Sequence, residues 1–176
     1  MTETSIRDLI PDFAKDIRIN ISSVILSNTQ TNLSQNQLYG SMLACAYALH
    51  TPELIKTIEA MCESILSSEE IHAAKAAACI MAMNNVYYRT MGQIKDEAFK
   101  SLPAGLRMQV IGNPGIEKLD FELYCLAISA INGCSTCVNA HINVAQKAGI
   151  SNSDLQTIIK LGSVINAANT SIILNN

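Results

Sequence analysis

Apolar residues recur along this chain at intervals of three and four, the spacing of one face of an amphipathic α-helix. The first such stripe predicts a helix from Ile6 to Val24, with Pro11 in or near its first turn. Its members are Ile6, Ile10, Phe13, Ile17, Ile21 and Val24. Because no segment alternates apolar and polar residues for long, strands are not expected. We therefore predict an all-α protein.

Three start signals predict further helices in the first half of the chain. Two are capping boxes, in which a serine precedes Glu or Gln by three residues, and one is an N-cap followed by proline. They are Ser34 with Gln37, Ser67 with Glu70, and Thr51 with Pro52. The helix expected after Ser34 covers residues 38–49, and the helix expected after Thr51 covers residues 52–61. The helix expected after Ser67 covers about residues 71–88 and is rich in alanine.

Glycine and proline divide the chain into two helical parts. Residues 90–113 contain Gly92, Pro103, Gly105 and Gly112 and form an irregular connector, with one short helix expected around 96–99. After it we predict a helix ending at Asn132-Gly133, a second from Cys134 to Gly149, and a final helix led by Ser151 and Asp154.

These divisions predict one domain over residues 1–176, made of two helical halves. The halves cover about 1–89 and about 114–176, and the second carries the candidate chemistry. A short echo, Gln37-Leu38-Tyr39 against Glu122-Leu123-Tyr124, hints that the halves are related.

Composition limits the partners. The chain has 176 residues, of which only 15% are charged, against about 25% in typical soluble domains. Apolar surface hidden between subunits explains such a value, so we expect a homo-oligomer. With 12 basic and 15 acidic residues and no Lys/Arg run, nucleic acid is not an expected partner.

Neither a membrane span nor a leader is expected. The longest purely apolar run, residues 76–83, is less than half of the roughly 20 residues that a span requires. The first eight residues lack a basic stretch followed by an apolar one. We therefore predict a cytoplasmic protein with no membrane partner.

The most informative motif is a Cys-x-x-Cys at the start of a predicted helix. Cys134 and Cys137 lie at i and i+3, so their sulfurs face the same way and can form a local disulfide, and His141 lies one turn beyond Cys137. Free N–H groups at a helix start favour the thiolate, the reactive form of cysteine. Half of a zinc site and an inert buried pair remain alternatives, but without a second ligand pair we favour redox chemistry and expect no metal.

Glu122 is the second notable residue, because its neighbours Phe121, Leu123 and Leu126 are apolar. A buried carboxylate near His141 could hold the imidazole or pass a proton to it. The alternative, a glutamate on the solvent side of an amphipathic helix, remains equally open. The other four cysteines, in apolar helical contexts, are expected to be core residues; they are Cys45, Cys62, Cys79 and Cys125.

Several segments together resemble the alkyl hydroperoxidase D family of the carboxymuconolactone decarboxylase superfamily. They are Glu122-Leu123-Tyr124, residues 129–137, Ala140-His141, residues 84–89, residues 106–108 and residues 112–116. The resemblance implies an all-α fold of two related halves, a trimer, and a thiol-dependent peroxidase with no bound metal or flavin. Thr136 departs from the family, whose members often have a second histidine between the cysteines.

The resemblance also implies residue roles. Cys137 matches the peroxidatic cysteine, which passes through a sulfenic acid, and Cys134 matches the proton-donating and resolving cysteine. Glu122 and His141 match a proton relay. Helix electrostatics alone would instead favour Cys134, nearer the N-terminus, as the more ionised thiol.

The partners implied by the resemblance are a peroxiredoxin and the lipoyl-bearing acyltransferase of a 2-oxoacid dehydrogenase, whose dihydrolipoyl group is the external reductant. The sequence thus predicts an antioxidant alkyl hydroperoxide reductase. A redox-sensing or interaction module and a decarboxylase of the same superfamily are the alternatives. The Cys-x-x-Cys counts against the decarboxylase, whose chemistry does not need it.

Overall fold

A computed structural model describes residues 5–26 and 31–175. Residues 1–4, part of the segment on which the leader prediction rests, lie outside the described ranges. Within those ranges the regular structure is entirely helical, which confirms the predicted class. The helices are α1 (Lys15–Ile21), α2 (Gln35–Leu49), α3 (Pro52–Cys62), α4 (Ser68–Gln93), α5 (Glu97–Lys100), α6 (Gln109–Gly112), α7 (Lys118–Ile131), α8 (Ser135–Lys147) and α9 (Asn152–Asn175).

Two helices, α2 and α7, form the centre of the molecule. They pack against each other, and each also contacts α4 and α9. Their close approach depends on Gly40 of α2, where an added Cβ would overlap the phenol ring of the fully buried Tyr124 on α7. The core therefore needs a residue without a side chain at this position.

The two halves repeat one pattern of helix lengths. Helices α2, α3 and α4 have 15, 11 and 26 residues, and α7, α8 and α9 have 14, 13 and 24. The contacts correspond as well, since α2 packs on α9 as α7 packs on α4. A duplicated helical unit accounts for this arrangement, although the relation between the halves remains a prediction.

The capping signals position most helices as expected. Ser34 Oγ accepts a hydrogen bond from Gln37 N at 3.1 Å, and Ser67 Oγ accepts one from Glu70 N at 3.2 Å. Pro52 is the first residue of α3. Helix α4 continues to Gln93, five residues past the predicted end at Tyr88, and α6 in the connector was not predicted.

The N-terminal segment corrects the prediction of one helix from Ile6 to Val24. It forms a 3-10 turn at Ile6–Leu9, another at Asp12–Ala14, then α1 and a π-helical turn at Ser22–Leu26. Pro11 interrupts it because proline lacks an N–H donor and forces the preceding residue into an extended conformation. Phe13, a member of the predicted stripe, is consequently 66% exposed.

Helix α9 is long and apolar enough to cross a membrane by length and composition, with a mean hydropathy of 1.3 over its most apolar window. Half of that window is buried within the molecule, where α9 packs against α2 and α7. The core helix of a globular protein meets the same criterion, so α9 is weak evidence for a membrane span.

Asp154 joins the start of α9 to the segment before α2. Its carboxylate accepts hydrogen bonds from the Thr31 hydroxyl at 2.7 Å, from Asn32 N at 3.0 Å and from the Ser151 hydroxyl at 2.7 Å. The hydrogen bonds from Thr31 and Ser151 hold the pKa of Asp154 below its usual value. The predicted role of Ser151 and Asp154 at the start of the last helix is confirmed.

We expect Asp154→Asn to destabilise the protein by about 1–3 kcal/mol at pH 7, because the amide nitrogen that replaces Oδ2 cannot accept from the Ser151 hydroxyl, and the hydrogen bonds from Thr31 and Asn32 lose a charged acceptor. Since folding lowers this pKa, the stabilisation is complete above the unfolded pKa of about 4 and is lost as the pH falls through the folded value. Urea unfolding from pH 7 to pH 3 should show the difference from wild type shrinking below about pH 4. Glu63→Gln, at an exposed carboxylate, is the control, and an equal loss in both variants would contradict the assignment.

Candidate active site

The Cys-x-x-Cys lies at the turn between α7 and α8. Gly133 has φ +64°, a conformation that favours glycine, and it directs the chain into α8 with Cys134 as the N-cap residue. Cys134 Sγ accepts a hydrogen bond from Cys137 N at 3.3 Å. The two sulfurs are joined in a disulfide, with the Cα atoms 5.3 Å apart, which confirms the predicted local pairing.

Only one of the two sulfur-bearing residues lines a cavity. Cys134 is fully buried, whereas Cys137 is 6% exposed and forms part of the wall of a cavity of about 270 Å³. The other lining residues are Met81, Asn84, Tyr88, Met108, Ile111, Glu122, Thr136, Ala140, His141 and Val144. A small molecule in this cavity would therefore meet Cys137 and not Cys134.

Glu122 and His141 form a buried pair in the same wall. His141 Nδ1 lies 2.7 Å from Glu122 Oε2, and both residues are buried. Of the two alternatives that the sequence left open for Glu122, the buried carboxylate near His141 is therefore confirmed, and the position on the solvent side of the helix is wrong. The contact with the carboxylate fixes the orientation of the imidazole and leaves its Nε2 available for proton exchange.

A polar network ties the cysteine turn to α4. Asn85 Nδ2 donates to Ser129 Oγ at 2.9 Å, and Asn132 Nδ2 donates to Asn85 Oδ1 at 2.9 Å. The Arg89 guanidinium donates to the backbone oxygen of Asn132. These contacts hold the residues just before Cys134, so α4 of the first half positions the site of the second.

Asn84, the neighbour of Asn85, is a site residue for which the sequence predicted no role. It is 4% exposed and lines the cavity, and its backbone oxygen lies 3.9 Å from Cys137 Sγ. Its side-chain oxygen has no hydrogen-bond partner within residues 5–26 and 31–175. The available signal was an Asn-Asn pair within an apolar, alanine-rich helix, where polar residues need a reason to be buried.

The connector supplies the outer wall of the cavity. Ile111 lies in the short helix α6, and Met108 is the residue before that helix. The Tyr88 hydroxyl lies 3.8 Å from Met108 Sδ. Thr136, the residue before Cys137, also lines the cavity. The cavity is thus mostly apolar, and Asn84, Glu122 and His141 are its buried polar residues.

The other cysteines do not share this environment. Cys45, Cys62 and Cys125 are buried as predicted, whereas Cys79 is exposed, contrary to prediction. Burial raises the pKa of the Cys62 thiol to about 12, and burial followed by the Glu122 carboxylate raises that of Cys125 well above its usual value. Buried thiols of this kind stay protonated and unreactive. In the described part of the chain no three His, Cys, Asp or Glu side chains are grouped as metal ligands.

This arrangement has the parts of a thiol peroxidase site. A reduced Cys137 would present sulfur to a cavity that suits an apolar ligand, with Cys134 within bonding reach and a buried imidazole–carboxylate pair one helical turn away. The sulfur is the nucleophile, and the pair can carry protons.

Comparison with known proteins identifies relatives over nearly the whole chain. The family model of the carboxymuconolactone decarboxylase family matches residues 97–171. A protein of Streptomyces griseus named alkyl hydroperoxide reductase AhpD is 47% identical over 98% of this chain and 96% of its own length. Proteins of the same name from Coxiella burnetii and Hyphomonas neptunium are 47% and 49% identical, each over 96% of this chain and over 96% and 92% of their own lengths.

Identity at this level over almost the full length of both chains identifies the family that the cysteine segment already suggested. The match covers both helical halves, the connector and the cavity wall. The chain therefore belongs to the AhpD family within the carboxymuconolactone decarboxylase family.

Proposed function

We propose that this protein is a thiol-dependent alkyl hydroperoxide reductase. The observation that carries the proposal is the asymmetry of the cysteine pair: Cys137 opens on an apolar cavity beside Glu122 and His141, while Cys134 is buried within bonding distance of it. The names of the relatives from three bacterial genera support the same activity.

In the proposed reaction the Cys137 thiolate attacks the terminal oxygen of the hydroperoxide. A sulfur–oxygen bond forms, the oxygen–oxygen bond breaks, and the departing alkoxide takes a proton and leaves as an alcohol. Cys134 then attacks the resulting sulfenic acid, water leaves, and the disulfide forms. An external dithiol reduces that disulfide, so each cycle converts one hydroperoxide and one dithiol into alcohol, water and a disulfide.

Glu122 and His141 are the proposed proton relay. His141, held by the carboxylate through Nδ1, can take the thiol proton and return it to the leaving oxygen. The N-terminal position of Cys134 suits the resolving step, because the hydrogen bond from Cys137 N stabilises a Cys134 thiolate. Access to the cavity, in contrast to helix electrostatics, thus supports Cys137 as the residue that attacks the peroxide.

We propose that no cofactor is bound and that a dihydrolipoyl group on a partner acyltransferase restores the dithiol, with a peroxiredoxin as a second partner. Four free cysteines in addition to the pair are typical of a reducing compartment, which supports a cytoplasmic location. Exposed apolar side chains, among them Val86, Phe99 and Leu102, support a homo-oligomer. The proposal that it is a trimer rests on the resemblance to the family.

The test is steady-state consumption of cumene hydroperoxide by the purified protein with dihydrolipoamide as reductant. We expect multiple turnovers, and none in the double variant Cys134→Ser/Cys137→Ser. A single oxidation without recycling by any dithiol would favour the redox-sensing alternative. Absence of any reaction with hydroperoxide would refute the peroxidase and return attention to decarboxylase chemistry.

A further inference from the structure

Asn84 differs from the other buried polar residues of the cavity wall. Glu122 and His141 satisfy each other, whereas the Asn84 side-chain oxygen has no hydrogen-bond partner among the described residues. The residue is buried in α4, and its backbone oxygen is 3.9 Å from Cys137 Sγ. A side-chain oxygen without a partner among the described residues thus belongs to a cavity residue whose backbone oxygen contacts the proposed nucleophile.

The adjacent residue shows that this is not a general property of α4. Asn85 is equally buried, but its amide nitrogen donates to Ser129 and its oxygen accepts from Asn132. Burying a polar group without a partner costs free energy that an apolar residue of the same size would avoid. A polar side chain kept at such a cost in a cavity wall indicates a ligand that completes its hydrogen bonds.

The chemistry of the cavity restricts that ligand. Most of the wall is apolar, including Met81, Met108 and Val144, and suits a hydrocarbon tail. An organic hydroperoxide combines such a tail with one O–H donor and two acceptor oxygens. Rotation of the Asn84 carboxamide about its Cβ–Cγ bond can present its oxygen to the O–H or its amino group to the departing oxygen.

We propose that the Asn84 side chain binds the hydroperoxide group and aligns its oxygen–oxygen bond with Cys137 Sγ. The inference rests on the proposed peroxidase function and adds a substrate-binding residue to it. Asn84 neither gains nor loses a proton in the step: sulfur bonds to the terminal oxygen, the oxygen–oxygen bond breaks, and the alkoxide takes its proton from the relay. Alignment of this kind accelerates the oxidative half of the cycle only.

Asn84→Leu is the direct test, because leucine has similar volume and no hydrogen-bonding group. We expect the second-order rate constant for oxidation of the reduced protein by cumene hydroperoxide to fall about 10- to 100-fold. Reduction of the disulfide by dithiothreitol should be unchanged, and the unfolding temperature should not fall. Asn169→Leu is the matched control: Asn169 on α9 is also buried with an unpartnered oxygen among the described residues, but it does not line the cavity.

Asn84→Asp provides a second measurement, which remains informative if leucine at position 84 disturbs the fold. Aspartate keeps an acceptor in the same place but adds negative charge near Cys137, which disfavours the thiolate. The pH profile of peroxide oxidation should therefore move to higher pH, and an unmoved profile would contradict the proposal because it would show that the side chain at position 84 does not reach the reacting sulfur.

The outcomes separate the two proposals. If wild type does not react with hydroperoxide, both are overturned. If wild type reacts and Asn84→Leu reacts equally fast, the role of Asn84 is overturned while the peroxidase stands. A variant in which oxidation and disulfide reduction slow to the same extent would also contradict the proposal, because it would indicate a general disturbance of the cysteine turn.

Discussion

Cys137→Ser is expected to lower the rate of hydroperoxide reduction by at least about three orders of magnitude, because it removes the sulfur that faces the cavity. Cys134→Ser should instead stop after one oxidation, with a sulfenic acid at Cys137 and no disulfide. Stopped-flow oxidation with cumene hydroperoxide, followed by trapping with dimedone and mass determination, distinguishes the two. The difference follows from the burial of Cys134 and the exposure of Cys137 to the cavity.

Cys79→Ser is the matched control for this pair, since it makes the same chemical change at an exposed cysteine outside the site. It should react as wild type does. A Cys137→Ser protein that still forms a sulfenic acid at the wild-type rate would assign the attack to Cys134, in agreement with helix electrostatics alone. The resolving and attacking roles would then be exchanged.

Glu122→Gln and His141→Phe are expected to lower the oxidation rate about 10²- to 10⁴-fold, the usual contribution of a positioned acid–base group. Because the two residues contact each other at 2.7 Å and act as one unit, the double variant should be little worse than the worse single variant. Single-turnover oxidation of the reduced proteins measures this directly. Unchanged peroxide consumption in both variants would exclude the relay.

The free energy of unfolding must be measured alongside these rates, because His141→Phe and Glu122→Gln leave different groups buried at the site. His141→Phe leaves the Glu122 carboxylate buried without its partner, at a cost of about 3–5 kcal/mol. Glu122→Gln keeps a neutral hydrogen-bonding group and should cost less. His72→Phe, at an exposed histidine of α4, is the control for the loss of an imidazole.

The capping signals predicted helix starts correctly, because a helix cap depends only on residues that are close together in the chain. A serine that caps a helix does so through contacts within four residues, and Ser34, Ser67 and Pro52 mark helix starts in the structure as they do in the sequence. The prediction of one continuous helix in the N-terminal segment was wrong. Its apolar spacing fits a helix, but the backbone restriction at Pro11 outweighs that pattern.

The cavity wall could not be predicted from spacing, because its residues come from distant parts of the chain. Asn84 of α4, Ile111 of α6 and His141 of α8 meet only after the halves pack together. Nothing within a few residues of Glu122 distinguishes a buried carboxylate from a solvated one. Its burial depends on α8 supplying a histidine at 2.7 Å.

By itself the sequence determined the helical class, most of the helix starts, the local Cys134–Cys137 pairing and the resemblance that identifies the family. Each depends on residues close together in the chain or on a motif that can be read directly. Only the tertiary structure decided that Cys137 rather than Cys134 faces the cavity and that Glu122 is buried against His141. It also decided that Asn84 lines the same cavity with a side-chain oxygen that has no hydrogen-bond partner among the described residues. The physical reason is that burial and access depend on the packing of whole helices, which the spacing of residues along one helix does not specify.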